Sequence, residues 1–406
     1  MPRPRTRASS ATRRDNARGS LDAYAAAAPG LEPLVARELS ILGVEHNLVE
    51  GGVSFRGTLA TIAQANLWLR TASRVIVRIA AFKAQAFHEL ERLARAVPWE
   101  RYVQKGGAAR FRVTSRKSRL YHTGAIAQRL GEAVQYRLGA SVSVDGSAGG
   151  DDDESPVEGA QLFVIRVFHD AFTISADTSG ALLHQRGYRK AVAKAPVRET
   201  LAAALLIASE WNGSTPLLDP FCGSGTIPIE GALIARRIAP GINRSFAFQS
   251  WPSFDEKQWR HLRDRAAEGA LARAPVQIVG SDRDAGAIEA ASANSERSGV
   301  ASDIEFSVRP ISAIEDRYGM PGLVATNPPY GVRVGEADRV RDLYARLGQV
   351  LRAKCLGWQL TLLSASPRLE RELRLPLKEA IRTRNGGIPV RVLRGTIPDR
   401  AQPAMG

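Results

Sequence analysis

A chain of 406 residues is too long for one small core, and two or three domains are expected. Its 44% hydrophobic content is ordinary for a globular protein, and no apolar run reaches the roughly eighteen residues that a transmembrane helix needs. The formal charge of +15 points instead to a polyanionic partner. The two cysteines, Cys222 and Cys355, are too far apart for metal-ligand spacing and make no disulfide framework, so a reducing cytoplasm fits best.

Residues 1–20 hold six arginines against one aspartate and read as a disordered basic arm; they lack the apolar stretch of a secretory signal. From Leu21 the pattern becomes globular. "LEPLVARELSILG" has helical spacing and ends on glycine, "GGVSFRG" reads as a strand, "TIAQANLWLR" as a helix and "RVIVRIAAF" as a strand. "AARFRVTSRKS" is a second, basic strand, followed by the helical "TGAIAQRLGEAVQYRLG". Residues 145–160, rich in Gly, Ser and acids, read as a flexible hairpin loop, because strand-like "QLFVIRVFHDAFTISAD" resumes at once. Between residues 60 and 140, fifteen Lys and Arg face four acids, so much of the positive charge is regional. From Pro196 the order becomes strand, helix, strand, helix, which predicts a parallel sheet with helices on both faces. Strands are expected at 216–219, 276–281, 304–308, 322–326 and 358–364, with a last pair around 380–383 and 390–394. The boundary between the halves falls near residues 180–195.

"LLDPFCGSGTIP" poses the functional question. Asp219 closes the first strand of the second half, and a helix follows. In open α/β sheets ligands sit beyond the carboxyl ends of strands, at such turns. Gly223 and Gly225 permit a close backbone approach or a positive φ. A P-loop is ruled out, because no Gly-Lys-Ser/Thr follows. A dinucleotide site wants a small residue where Pro228 stands and an acid about 20 residues on. The next strand-end acid, Asp282, comes 57 residues after Gly225, beyond a helical and aromatic insertion, "APGINRSFAFQSWPSFDEKQW". A cofactor with a ribose but no pyrophosphate is left, and S-adenosylmethionine fits. Asp282 would then accept ribose hydroxyls; its plain alternative is an N-cap for the next helix.

A second motif, "NPPYG", follows the apolar strand "LVAT". Pro328 and Pro329 offer no donors and fix φ, so Asn327 and the carbonyls form a rigid bracket that can accept hydrogen bonds from an exocyclic amino group. Tyr330 offers a flat face for an extruded base.

With these blocks the chain resembles the bacterial THUMP-domain 23S rRNA guanine-N2 methyltransferases over nearly its whole length. "LLHQRGYRKAVAKAPVRETLAAALL", "LLDPFCGSGTIPIEGALIA", "SDRDAGAIEAASAN", "NPPYG" and "NGGIPVRVLRG" carry the likeness in the second half, and "EGGVSFRG", "ANLWLRTASRV" and "SRKSRLYHTGAIAQRL" in the first. The resemblance implies an α/β fold: a Rossmann-like S-adenosylmethionine-dependent methyltransferase sheet preceded by an α+β ferredoxin-like and THUMP RNA-binding half. It divides the chain into the arm 1–20, a ferredoxin-like module 21–80, a THUMP domain 81–180 and one methyltransferase domain 181–400. Asn327, Pro328, Pro329 and Tyr330 take the catalytic places. Asp219, Phe221, Gly223, Gly225, Thr226, Asp282 and Ser312 take the cofactor places. Relatives carry an Asp after the third strand for the adenine amino group; here Pro310 or Ile311 stands there, which passes adenine recognition to backbone or to Ser312.

The implied partner is 23S rRNA or a large-subunit assembly intermediate, with no metal and no membrane. Arg110, Arg112, Arg116, Lys117 and Arg119 are the candidate phosphate contacts. Aromatic residues are few there, which favours shape-directed binding of structured RNA over stacking along a single strand. Rival readings are a tRNA guanine-N2 methyltransferase, an adenine-N6 DNA enzyme and, in another class, a non-catalytic RNA-binding or ribosome assembly factor. The intact Asp219, Gly223, Gly225, Asp282 and Asn327 set argues against the last. Cys222 and Cys355 read as buried side chains and Glu230 as structural. His184 and Tyr188 are open between pocket and packing roles.

Overall fold

The computed structural model describes residues 19–139, 141–144, 159–190, 197–315, 318–330 and 337–399. The basic arm, but for its last two residues, and the interior of the 145–160 segment lie outside this set. In the first half the elements are β1 (Leu21–Ala27), α1 (Glu32–Ile41), β2 (His46–Val49), β3 (Gly52–Gly57), α2 (Leu59–Trp68), β4 (Ala72–Lys83), α3 (Phe87–Ala94), β5 (Ala108–Arg116), α4 (Thr123–Leu138), β6 (Ser141–Val144), β7 (Ala160–Phe168) and β8 (Ala171–Asp177). Local chemistry sets several ends. A capping box between Thr58 and Thr61 starts α2, and α4 stops at Gly139, which adopts a left-handed φ of 62°.

All eight strands join one sheet in the order β2-β3-β1-β4-β8-β7-β5-β6. Two details depart from the sequence reading. "QLFVIRVFHDAFTISAD" is not one strand but two, β7 and β8, antiparallel about a turn at His169 and Asp170. Apolar alternation runs through that turn without a glycine, which hides it. The strands that flank the 145–160 segment, whose interior lies outside the described residues, are also not paired as a hairpin. β6 and β7 both lie parallel to β5, one on each side, so the connection between them is a crossover.

The second half comprises α5 (Glu199–Ala208), β9 (Leu217–Asp219), α6 (Thr226–Ala235), α7 (Glu256–Glu268), β10 (Ile278–Asp282), α8 (Ala285–Ser298), β11 (Ile304–Val308), β12 (Leu323–Thr326), α9 (Ala337–Lys354), β13 (Gln359–Ser364), α10 (Pro367–Glu372), β14 (Lys378–Asn385) and β15 (Ile388–Thr396). The sheet order is β11-β10-β9-β12-β13-β15-β14, parallel as far as β13 and antiparallel through the final hairpin. Successive residues serve opposite faces. Leu217 and Leu323 pack with α5 and α6, while their neighbours Leu218 and Val324 pack with α9 and Trp358. Both faces are therefore covered, as the unbroken apolar strands imply. The chain winds outward from β9 in both directions, so the switch point lies between β9 and β12.

The aromatic insertion after α6 crosses to the other half. Phe246, Phe248, Trp251 and Trp259 belong to the core of the first half, not to the second sheet. Trp251 donates from Nε1 to Gln161 Oε1 at 2.7 Å and meets Tyr102 edge-on at 4.8 Å between ring centres. A buried polar network spans the same boundary. Glu38 accepts from the backbone N–H groups of Arg70 at 2.7 Å and Thr71 at 3.0 Å. Arg186 donates to Arg70 O at 2.6 Å and from Nε to Glu230 Oε1 at 3.4 Å, and Tyr188 OH donates to the same oxygen at 3.1 Å.

Candidate active site

Three strands of the second sheet deliver the site. β9 ends on Asp219, β10 on Asp282, and β12 on Thr326, one residue before Asn327. Pairing of Gly280 with Asp219, and of Val324 with Leu218, brings these three carboxyl ends level beside the switch point.

Asp219 is 1% exposed, and its Oδ1 accepts from Thr326 Oγ1 at 2.7 Å and from Phe221 N–H at 3.1 Å. The carboxylate thus staples β9 to β12 and starts the turn. Burial pushes its pKa up to about 7, with the nearby Asp282 charge adding to the rise and the two hydrogen bonds opposing it. Cys222 is buried and free, and burial raises its thiol pKa, so it is a small packed side chain without nucleophilic character.

Gly223 and Gly225 have left-handed φ values of 51° and 81°. A side chain at Gly225 would also meet Ala291 Cβ at 2.9 Å and Phe306 Cζ at 3.0 Å, so the turn lies hard against α8 and β11. α6 starts at Thr226 behind Gly225, which has no side chain to cap it, so the first N–H groups gain no acceptor from their own N-cap residue. Thr226 itself is buried, and Phe221 is half-buried against the core beside α9.

Asp282 is not the helix cap. That place belongs to Asp284, which accepts from Gly286 and Ala287 N–H. Asp282 instead holds two backbone amides, Gly223 N–H on Oδ2 at 3.1 Å and Asp284 N–H on Oδ1 at 3.0 Å. One lone pair on each oxygen remains for a ligand diol, and the glycine turn is tied to the acid expected to hold it. Ser312 stands on a short 3₁₀ turn after β11, with an exposed side chain.

At the bracket, Asn327 is half-buried, Pro328 buried and Pro329 exposed. Tyr330 OH donates to Asn327 Oδ1 at 2.5 Å, and Asn385 Nδ2 donates to Tyr330 OH at 3.5 Å. Burial pushes the Tyr330 pKa up to about 12, so the phenol stays a donor at neutral pH. A cleft of about 450 Å³ opens beside Tyr330, edged by Arg341, Arg368 and Arg371 together with Asp338 and Glu372. A larger cleft of about 620 Å³ lies on the first sheet between Asp22, His46 and Arg56, on elements that carry none of these residues.

Three contributors escaped the sequence reading: Thr326, Asn385 and Asn294. The last donates from α8 to Ser224 O at 3.0 Å and so props the glycine turn from behind. Only the position of Asn385 before a Gly-Gly turn hinted at a role. His184 is held neutral, its pKa lowered to about 3 by burial and by Arg198 and Arg189, and Tyr188 is locked onto Glu230. Of the five candidate phosphate contacts, Arg116, Lys117 and Arg119 are exposed, whereas Arg110 and Arg112 are half-buried. No group of His, Cys, Asp or Glu among the described residues could hold a metal ion, and no helix among them is long and apolar enough to cross a membrane.

Residues 186–393, which carry every element of this site, match the RMKL-like methyltransferase domain family. The chain belongs to that family. Residues 22–76 match the RlmL ferredoxin-like domain and residues 84–147 the THUMP domain. Family and fold agree with the sequence reading. Among curated proteins, "Ribosomal RNA large subunit methyltransferase K/L" of Syntrophotalea carbinolica is 36% identical over 93% of this chain and 54% of its own length. The chain thus spans about half of that relative. It covers more of "Putative RNA methyltransferase YpsC" of Bacillus subtilis, which is 36% identical over 80% of this chain and 83% of its own. Among solved structures, that of SMU.472 complexed with SAH superposes with a TM-score of 0.82 at 30% identity, covering 95% of this chain and 100% of the other.

The fit of the pocket to a ribose-bearing cofactor rests on the glycine turn and on Asp282. Replacing Asp282 by alanine is expected to weaken cofactor binding by about 1.5–3 kcal/mol, the scale of charge-assisted hydrogen bonds. The variant loses the diol acceptor and frees the Gly223 amide together. Titration calorimetry giving equal affinities for the two proteins would count decisively against ribose binding at this acid.

Proposed function

We propose that the protein is an S-adenosylmethionine-dependent RNA methyltransferase that forms N2-methylguanosine in 23S rRNA, acting on a base extruded from its stack. The observation that carries the reading is the bracket of Asn327 and Pro328 at the end of β12, level with the glycine turn and Asp282 across the switch point. The names of the K/L and YpsC relatives support an RNA substrate, and the SAH bound in SMU.472 supports the cofactor. The match of residues 84–147 to the THUMP domain supports RNA as the polyanion that the charge demands.

When bound, the cofactor supplies an activated methyl group; the chain's own residues supply position and electrostatics. Gly223 and Gly225 would let the backbone approach it, Asp282 would hold its ribose, and Asp219 and Thr326 would keep the turn in register with the bracket. Guanine N2 carries a lone pair delocalised into the ring. Acceptance of hydrogen bonds from its two N–H groups by Asn327 Oδ1 and the Pro328 carbonyl localises that lone pair for attack, one of the two protons then leaving to water, and Tyr330 would carry the base on its ring face. Arg116, Lys117 and Arg119 hold phosphates without reading sequence. The division into 1–20, 21–80, 81–180 and 181–400 places the grip before residue 180 and the chemistry after it.

Mapping N2-methylguanosine in 23S rRNA from a strain lacking the gene, and again after complementation, tests this reading. One site that vanishes and returns is expected. A full set of modified guanosines in the deletion strain, with loss of a tRNA modification instead, would move the substrate to tRNA.

A further inference from the structure

Exposed aromatic surface and unusual backbone coincide at one corner of the first sheet, where the end of β5 meets the β7–β8 turn. Among the described residues six non-glycine positions have positive φ, and three of them are here: Lys117 at 50°, His169 at 48° and Asp170 at 60°. A two-residue hairpin with both φ positive favours Asn-Gly or another glycine pair. His-Asp stands in its place, two of the few side chains that tolerate the left-handed region.

Asp170 shows what the backbone holds in place. Its Oδ1 accepts from Arg119 N–H at 2.7 Å, its Oδ2 from Gln85 Nε2 at 3.0 Å, and its own N–H donates to Ser118 Oγ at 3.0 Å. Ser115 Oγ donates to Leu120 O at 2.7 Å. Residues 115–120 are thereby pinned to the turn. Lys117 Nζ is carried over the Phe168 ring, 6.0 Å from its centre. The two large rings at this corner lie open to water: Tyr121 is 65% exposed and Phe168 53%. Each is backed by a histidine, His122 at 4.2 Å and His169 at 4.3 Å between ring centres.

A lone exposed aromatic side chain needs no explanation. Two of them on one hydrogen-bonded corner, with Lys117 over one face of Phe168 and Arg116 paired with Phe168 in the strand register, set open ring surface beside cations. An unpaired nucleotide presents the complementary pair, a flat base and an adjoining phosphate. Within a duplex, away from its ends, each base face is covered by its neighbours. We propose that Tyr121 and Phe168 form a stacking site for an unpaired nucleotide of the RNA, with Lys117 and Arg119 taking its phosphates. The proposal rests on the RNA-binding reading above and amends the expectation that this half binds by shape without stacking.

The test compares full-length proteins on two probes, a short unstructured RNA carrying one 2-aminopurine and a blunt RNA duplex. Tyr121→Ala and Phe168→Ala should each weaken binding of the unstructured RNA by about five- to a hundredfold, lose the quenching that marks a stacked 2-aminopurine, and leave the slope against salt unchanged. Tyr121→Phe should restore binding, because the ring and not the hydroxyl acts. Duplex binding should be insensitive to all three changes, and cofactor affinity should stay at the wild-type value, showing that the fold is intact. Lys117→Ala with Arg119→Ala should instead reduce the salt slope on both probes. Wild-type affinity and quenching in the two ring variants would overturn the stacking site while leaving the RNA-binding reading in place. Absence of salt-dependent binding by the wild-type protein to either probe would overturn both.

Discussion

Replacement of Asn327 by alanine is expected to lower turnover on the order of 10²–10³-fold, the cost of removing one preorganised polar contact, with cofactor affinity close to wild type. Asn327 stands at the end of β12, while the glycine turn and Asp282 belong to β9 and β10, so the substitution touches the acceptor and not the ribose site. Tyr330 OH holds Oδ1 of Asn327 at 2.5 Å and is itself approached by Asn385. A carboxamide oxygen has two lone pairs, so this bond aims the group and leaves one acceptor for the substrate amine. Tyr330→Phe keeps the ring and removes the aim; a fall of about fivefold is expected, matching roughly 1 kcal/mol for one hydrogen bond. The phenol pKa of about 12 implies that no loss of activity from Tyr330 ionisation occurs near neutral pH. Single-turnover methyl transfer with each variant, beside calorimetric cofactor titration, makes the measurement. Turnover of Asn327→Ala equal to wild type would sink the bracket mechanism.

The second large effect is on stability. Arg186→Met is expected to cost about 3–5 kcal/mol, because it removes the ion-pair partner of a carboxylate, Glu230, that is 0% exposed, leaving the Tyr188 hydroxyl as its hydrogen-bond donor and Arg70 as the nearby cation. One of the Glu230 oxygens, Oε2, has no hydrogen-bond partner among the described residues, which leaves little to absorb the loss. The double change Arg186→Met with Glu230→Leu should recover part of the stability by removing the orphaned charge. Recovery stays incomplete because Arg186 also satisfies the carbonyls of Leu183 and Arg70. Urea-unfolding midpoints of the three proteins decide the matter. A single variant within about 1 kcal/mol of wild type, or a double variant no better than the single, would show that the buried pair does not carry this stability.

Most of the second half was legible because its signals are local. An apolar run ending in Asp219, two glycines with nothing but a turn to make, and Asn-Pro-Pro-Tyr after "LVAT" each declare a strand end and a constrained loop within a dozen residues. The strand–helix–strand–helix order from Pro196 predicted helices on both faces, and the sheet has them. The first half was less legible for an equally physical reason. His169 and Asp170 take positive φ without glycine, so the β7–β8 turn left no mark, and strands that pair across a crossover, such as β6 and β7 around β5, cannot be placed by local pattern.

By itself, the sequence determined the parallel sheet, the glycine turn, the strand-end acid and the proline bracket, because steric limits on φ and the period of apolar residues act over a few neighbours. Tertiary structure alone decided what those parts touch. Asp282 proved to hold the Gly223 amide and Thr326 to bind Asp219, each between strands far apart in the chain, while Tyr330 aims Asn327 within the bracket itself. The same holds for Phe246, Phe248, Trp251 and Trp259, which leave the methyltransferase half to complete the core of its neighbour. Apolar burial is non-directional, so composition said that these rings would be covered but not by which half. The covering surface exists only once α2, Tyr102 and Gln161 of β7 are assembled beside them.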